Sequence, residues 1–578
     1  VQTDSLAAVL RAWAVPIGVA ALWMLLIWSV HRESPRTLVS FHGLLHAAIV
    51  EELAGPGKMT LPPENPFFAG QPVAYYWFFH LLAAQLVSLF SLNLFHAMET
   101  VILFAAGILM IVAVSLGRKL YKSTMAGVLM GYLIMAGTNP LGIFFAIADV
   151  ARNGMQALDD DPDYLWGVVH PLYSMIRYND FGGLYGPLFN FFLNITSRPA
   201  ALASLLLTAL CLYLALSRKR PAHFIFFGLA FALTTALSPI IGLTTGAALG
   251  AGLVVTWLWE GRFSKRSEPL ITPATIIWAG LAMVLGILLA APTYYHLISG
   301  PSSSSAQLSL FSVRGLRHAL SVTLSILPLA AIAVIGLVKA PRDRRPFLVV
   351  LFLSALALLA LNVAITLPAG NQSNMFHAAA VLLAVPAAGA VLRRNTPQDT
   401  TARCSGRAAL VIALIFLPTL LALLAAYVDR PPVPASFESV HIERLPRDSD
   451  LALFYEWARN ETGRDAVFIV DPRERVALCG NTLELPAMTG RSILTEHSRH
   501  YLAEPYPESG ARVDMATRLV SGEEPRASDV AYLSSFNRPV FIISYSSEDS
   551  LLINQMKSHY GPPVFQQGDV SVYKWPLP

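Results

Sequence analysis

The chain has 578 residues, 54% of them apolar and only 13% charged, about half the charged fraction of a soluble globular domain. This excludes a large water-soluble enzyme, and the high apolar content excludes a disordered chain. A net charge of +4, from 41 basic and 37 acidic residues, is too small for nucleic-acid binding through bulk charge. What is left is a polytopic α-helical membrane protein.

A helix needs roughly 20 mostly apolar residues to cross a hydrocarbon core of about 30 Å. Such stretches fall near 13–30, 97–116, 125–148, 200–216, 222–237, 241–259, 271–291, 318–338, 347–366, 375–392 and 408–427. A twelfth, 74–92, mixes Tyr75, Tyr76, Trp77, His80, Gln85 and Ser88 into its apolar residues, a blend suited to a membrane interface. Basic clusters occur at Arg118/Lys119/Lys122, Arg218/Lys219/Arg220, Arg262/Lys265/Arg266, Lys339/Arg342/Arg344/Arg345 and Arg393/Arg394/Arg403/Arg407. They share one face with Arg11 only if 74–92 does not cross. Positive charge beside spans marks the cytoplasmic side. We therefore expect about eleven transmembrane helices plus interfacial helices, a cytoplasmic N-terminus, and an extracytoplasmic segment after 428. A bacterial plasma (inner) membrane fits this layout. No small-x-small cleavage site follows the first span before His31-Arg32.

The long connections, 31–96, 149–199 and 292–317, then all lie on the outer face, while the basic loops are short. Connections longer than about 12–15 residues tend to be functional. Few charges fall within the spans. Glu99 is the main exception, readable as a headgroup-level carboxylate or as a functional intramembrane group. The chain divides into a membrane part over 1–428 and an α/β domain over 429–578, after the stiff linker Asp429-Arg430-Pro431-Pro432-Val433-Pro434. In the second part a helix is expected over Asp450–Arg459, strands at 466–470 and 540–544, a helix over 549–559 and an edge strand at 570–574. No Gly-rich loop follows a strand, which argues against a nucleotide site. Cys211, Cys404 and Cys479 fall in a span and on opposite faces, so no two can pair.

The first outer loop carries the densest chemistry. His42 and His46 are four apart and share one face of a helix continued by Ile49 and Leu53. Glu51 and Glu52 follow, then the turn-rich Leu61-Pro62-Pro63-Glu64-Asn65-Pro66, then Gly70-Gln71-Pro72 and Tyr75-Tyr76-Trp77. In this the sequence resembles the GT-C superfamily of integral membrane glycosyltransferases, such as protein O-mannosyltransferases and lipid A aminoarabinose transferases. Their first outer loop bears an acidic motif on a short surface helix, followed by a Gly-x-Pro and aromatic segment. The likeness covers the whole chain in layout and the first loop at residue level.

The resemblance implies transfer of a sugar from a polyprenyl-phosphate-linked donor to an extracytoplasmic protein, glycan or lipid acceptor, with inversion. Such a reaction needs a general base for the acceptor hydroxyl and cations for the departing phosphate. The superfamily places an Asp or Glu near the start of the surface helix, and here that register holds His42. The candidate catalytic residues are His42, His46 and Glu64, with Glu51 and Glu52 as neighbours that could serve instead. For the phosphate, Arg314 and Arg317 stand beside His318 after a Ser-rich loop, and arginine suits bidentate phosphate contact. Snorkelling at headgroup level is the alternative. His170, Arg177 and Asp180, among the aromatic residues of the second loop, and Glu51, Tyr75, Tyr76, Asn374 and His377 complete the substrate-binding candidates. No definite cofactor is implied, and a divalent metal ion is the one candidate. The acidic run Asp159-Asp160-Asp161-Pro162-Asp163 could hold a divalent ion or be a solvated turn. Two other readings stay open: a non-catalytic scaffold built on this framework, and a transporter of lipid-linked substrates. The transporter is disfavoured by the lack of internal repeats and of charges inside the membrane.

Overall fold

In lipid every backbone polar group must be satisfied within the protein, so apolar runs of this length form helices. The computed structural model describes residues 6–33, 43–55, 60–154, 186–263, 269–299, 307–308, 313–367, 371–393, 404–428, 449–472, 484–496, 506–545 and 550–575. The membrane part opens with α1 (Leu6–Glu33), α2 (Gly43–Ala54), α3 (Phe78–Phe90), α4 (Leu94–Tyr121), α5 (Thr124–Ala136) and α6 (Gly142–Asn153). It continues with α7 (Arg198–Arg218), α8 (Pro221–Leu237), α9 (Pro239–Phe263) and α10 (Pro273–Ala290). The last four are α11 (Val313–Lys339), α12 (Arg345–Ala364), α13 (Ser373–Ala387) and α14 (Gly406–Val428).

Among the described residues nine helices are long and apolar enough to cross a membrane, and α3, α5 and α8 are shorter apolar helices. The eleven expected spans thus map to nine long helices plus α5 and α8. One expectation needs correcting. The run 125–148 is not continuous: α5 stops at Ala136 and α6 begins at Gly142. Between them Asn139 has φ of 50° and Pro140 follows, a pairing that breaks a helix whatever its hydropathy.

The helices have two chemically distinct ends. At one, described members of the basic clusters meet neighbouring helix ends: Lys339 donates to the Ala390 carbonyl (2.7 Å) and Lys219 to that of Pro269 (3.2 Å), while Tyr121, next to Lys122, donates to the Val385 carbonyl (2.7 Å). The other end carries the long connections. The start of α3 is held there, because Trp77 N–H donates to the Thr293 carbonyl just past α10. Its end precedes the start of α4 by three residues, and that start sits beside the end of α1 through His31 and Glu99. Both termini of α3 therefore lie at one end of the bundle. Thirteen residues extend only about 20 Å, so α3 does not cross.

The C-terminal segment forms a five-stranded sheet from β1 (Val467–Ile469), β2 (Ser492–Ile493), β3 (Val540–Ser544), β4 (Phe565–Gln567) and β5 (Val570–Lys574), in the order β2-β1-β3-β5-β4. β1 runs parallel to β2 and β3, while β5 is antiparallel to β3 and β4. The expected edge strand 570–574 is instead an interior strand with four consecutive buried residues. The three-residue strand β4 covers its outer side, and hydropathy could not reveal it. Helices α15 (Asp450–Glu461), α16 (Leu485–Thr489), α17 (Ser509–Val520), α18 (Ala527–Ser535) and α19 (Ser550–Tyr560) complete the unit.

The first loop is bound to this sheet by backbone as well as side chains. Ala69 N–H donates to the Ile493 carbonyl (3.0 Å), Ile493 N–H to Pro66 (2.9 Å) and Glu496 N–H to Phe67 (3.2 Å). The Pro66–Ala69 turn is thus hydrogen-bonded along the outer side of β2. Glu64 and Arg538 form a bidentate pair at 2.7 and 2.9 Å, and Glu64 also accepts from Gly70 N–H (2.9 Å). Gly70 has φ of +81°, where only glycine rests without strain, and Phe536 packs against the face a side chain would occupy. Arg512 donates to the carbonyls of Ala69 and Leu494 (2.8 Å each) and lies 3.8 Å over the Phe68 ring. Phe68 stacks on Tyr506, whose hydroxyl donates to the Pro72 carbonyl.

Because the Glu64–Arg538 pair is only partly shielded from water, with side chains 19% and 16% exposed, its removal costs about 1–2 kcal/mol. Arg538→Ala should lower the thermal midpoint in detergent and speed proteolysis between 55 and 75. A Glu64→Gln/Arg538→Gln double-mutant cycle should give a coupling of about 1 kcal/mol.

Candidate functional site

Helix α2 carries His46 into the interior: residues 43–50 are all buried. His46 is 1% exposed and its Nδ1 lies 2.8 Å from Nε2 of His80, on α3. Tyr75 and Phe79 face the same imidazole, with ring centroids 6.1 and 6.0 Å away. Tyr75 stacks on Tyr76 (4.2 Å) and donates to its hydroxyl (3.1 Å), and Tyr76 packs with Ala236, Ala290 and Tyr294 at the ends of α8 and α10. Burial pushes the His80 imidazole down to about 3, against a weaker opposing hydrogen bond with the Trp77 backbone. His80 is therefore neutral at ordinary pH, and one ring of the pair donates while the other accepts.

Glu99 is the second centre. It is 3% exposed, and its oxygens meet Nδ1 of His31 (3.0 Å) and Nδ1 of His96 (3.2 Å), with Arg32 at 4.0 Å. A carboxylate bonded to Nδ1 fixes the tautomer and orientation of a histidine.

Glu51, at the end of α2, lines a cavity of about 640 Å³ with Arg459, Arg464, Arg491 and the start of α4. Burial raises its carboxyl above the usual range, opposed by the three guanidinium groups. Glu64 stands outside this cavity's lining, in the pair with Arg538.

The remaining candidates are held elsewhere. Asn374 is buried on α13 and donates to the Asn371 carbonyl (3.0 Å). His377, one turn on, meets the Phe191 ring edge to face at 4.4 Å, and the hydroxyl of Tyr427 donates to Asn190 and accepts from Asn194. Arg317 is exposed at the start of α11, and His318 beside it lies 3.1 Å from the Asn362 side-chain oxygen. His42, His170, Arg177, Asp180 and the 159–163 acidic run lie outside the described residues, as does the Arg314 side chain. Among the described residues no group of three or more His, Cys, Asp and Glu could hold a metal ion. The structure thus brings His46, Tyr75 and Tyr76 together and adds His80, which sequence reading took only as part of an interfacial mixture. The spacing His46–His80 crosses a turn-rich loop, so no periodicity could pair them. Nor could any pattern join Arg459, Arg464 and Arg491 to Glu51, about 400 residues away.

Comparison with known proteins agrees with this architecture. Residues 56–166 match a family described as "Uncharacterized membrane protein (DUF2298)", and no curated protein sequence matches the chain. Among solved structures, the chain is similar to ArnT from Cupriavidus metallidurans in the apo state, with TM-score 0.53 and 12% identity over 98% of both chains. ArnT bound to undecaprenyl phosphate superposes with TM-score 0.52 and 11% identity, over 96% of this chain and 98% of that one. Arabinofuranosyltransferase AftD from Mycobacteria gives TM-score 0.51 and 16% identity over 98% of this chain and 40% of that one. The chain has the fold of the GT-C glycosyltransferases, as its first-loop residues suggested.

The His80 environment predicts an acid-sensitive fold. In the unfolded chain this imidazole takes up its proton near 6.5, in the fold only near 3, so the unfolded state binds the extra proton between those values. Stability is full above about 6.5 and falls with pH below it, by about 1.4 kcal/mol per unit. His80→Asn keeps a hydrogen bond to His46 without the titration. Its thermal midpoint should lie below wild type at pH 7.5, with the gap narrowing as pH falls to 5.

Proposed function

We propose that the chain is a GT-C-type glycosyltransferase that moves a sugar from a polyprenyl-phosphate carrier to an extracytoplasmic acceptor, with inversion. The observation that carries this is the fold shared with ArnT over 98% of both chains, one such structure holding undecaprenyl phosphate. The positive-inside distribution of the basic clusters supports an outward-facing loop end in a plasma membrane, with the C-terminal unit on the same side.

In the proposed reaction an acceptor hydroxyl gives its proton to an imidazole as its oxygen bonds to the anomeric carbon. The bond from that carbon to the phosphate oxygen breaks, and polyprenyl phosphate leaves with the electron pair. The leaving group is stable as an anion, so the protein supplies a base and cations. We assign the base to His42 or His46. With His80 neutral, His46 can donate through Nδ1 and present Nε2 as acceptor. Arg314 and Arg317 are assigned to the departing phosphate, and the Tyr75–Tyr76 stack to the apolar face of the sugar.

One observation favours a second reading. The first-loop helix is buried along residues 43–50, packed against α3, α4 and α16, as a scaffold without substrate access would be. Turnover separates the two. Purified protein in lipid nanodiscs, given undecaprenyl-phosphate sugars and a panel of acceptors, should release undecaprenyl phosphate. His42→Ala or His46→Ala should lower kcat about 100-fold or more with donor binding retained, and the rate should fall on the acid side with one proton. Folded wild-type protein that binds no undecaprenyl phosphate and releases none from any donor would leave the scaffold reading.

A further inference from the structure

We propose that the cavity between the end of α2, the start of α4 and the C-terminal unit binds a phosphate group carried on a lipid headgroup. This does not rest on the transferase reading, because the chemistry of the cavity wall is sufficient.

Three arginines, Arg459, Arg464 and Arg491, line the cavity against one carboxylate, Glu51. Arg491 is 4% exposed, yet its guanidinium is satisfied by neutral acceptors: the carbonyls of Thr489 (2.6 Å), Arg459 (2.7 Å) and Thr462 (2.7 Å) and the Thr462 hydroxyl (3.2 Å). Its charge is thus held in place without being neutralised by contact. Burial, then the repulsion of Arg464 and Arg459, lowers its pKa, while Glu51 and Asp465 oppose this. Arg464 reaches Glu51 Oε1 at 3.4 Å, a long contact for a charge-assisted bond. It lies across Gly55, where any side chain would collide with the guanidinium. Arg459 donates to the Met488 carbonyl. Arg491 is thus a buried charge, while Arg459 is exposed and the Arg464 side chain 33% exposed; the three like charges repel one another at the cavity wall, and an anion there offsets that repulsion.

The cavity also takes in Asn93, Leu94 and Phe95, the first residues of the 28-residue helix α4, with Asn93 as its cap. The positive end of a long helix dipole therefore adds to the arginines. Guanidinium groups bind phosphate bidentately and suit it better than any other common anion. The lipid attachment follows from the apolar part of the lining. Val87 and Leu92 line the cavity, and between them Leu89 and Phe90 are 70% and 65% exposed, an apolar rim at the level where acyl chains meet headgroups.

The test is a thermal-shift titration of the full chain in neutral detergent, with three probes: dioctanoyl phosphatidic acid, dioctanoyl phosphatidylcholine and inorganic phosphate. The phosphatidic acid should raise the midpoint saturably, and the phosphatidylcholine should not. Arg459→Gln and Arg464→Gln should each weaken phosphatidic acid binding about tenfold. Glu51→Gln, which removes the competing carboxylate, should tighten it several-fold, a change that loss of a merely structural residue would not produce. Tighter binding of phosphatidic acid than of inorganic phosphate identifies a lipid headgroup, and equal affinity identifies free phosphate as the source of the same group. The proposal is overturned if neither phosphate probe binds saturably, or if affinity is unchanged in folded arginine variants. Should those variants not fold, failure of Glu51→Gln to tighten binding overturns it. No step requires turnover, so the result is independent of transfer activity.

Discussion

The structure depends on one non-local constraint, the attachment of the first loop to the C-terminal sheet. The Pro66–Ala69 turn is hydrogen-bonded through its backbone to the outer side of β2, and the Glu64–Arg538 pair links residues 474 apart in sequence. Helix α2, which carries His46 and Glu51, leads into this junction. The junction joins the end of α2, which packs against α16, to the start of α3. Backbone hydrogen bonds give the contact direction, and the ion pair and the Arg512 stack on Phe68 give it register. A loop tethered at one end only would leave His46, Tyr75 and Glu51 in no defined relation.

The membrane architecture was largely legible in the sequence, because hydropathy sums over a local window and a helix in lipid answers to that sum. The interfacial nature of α3 was legible as well, through the distribution of basic residues rather than its own composition. Failures came where a few residues outweigh the sum. Asn139 and Pro140 interrupt an apolar run, and the three residues of β4 displace 570–574 from the edge of its sheet. The GT-C likeness was legible from the first loop, whereas sequence identity to the matched structures is at most 16%.

The candidate site was legible only in part, for the same reason. His46, Tyr75, Tyr76 and Glu51 could be singled out because they cluster in one loop. What they contact could not. Glu64 stands in the sequence as a carboxylate in a turn-rich outer loop, and only its partner Arg538 reveals a fastening. His80 is one polar residue in an apolar helix until its ring is found 2.8 Å from His46. Glu99, set in a span, is matched by His31 from the end of the preceding long helix and by His96 from its own first turn. Such pairings arise from the crossing of helices and leave no periodic trace.

The docking of the Pro66–Ala69 turn on the edge strand β2 has a consequence for biogenesis. The segment that covers the outer side of β2 is synthesised more than 400 residues before the strand it protects, and must wait for it. Until the chain is complete, each half exposes polar backbone that the other will cover, and a tail made alone would present an open strand to its own copies. Assembly is thus tied to the arrival of both segments in one compartment, an order of events written into the sheet itself.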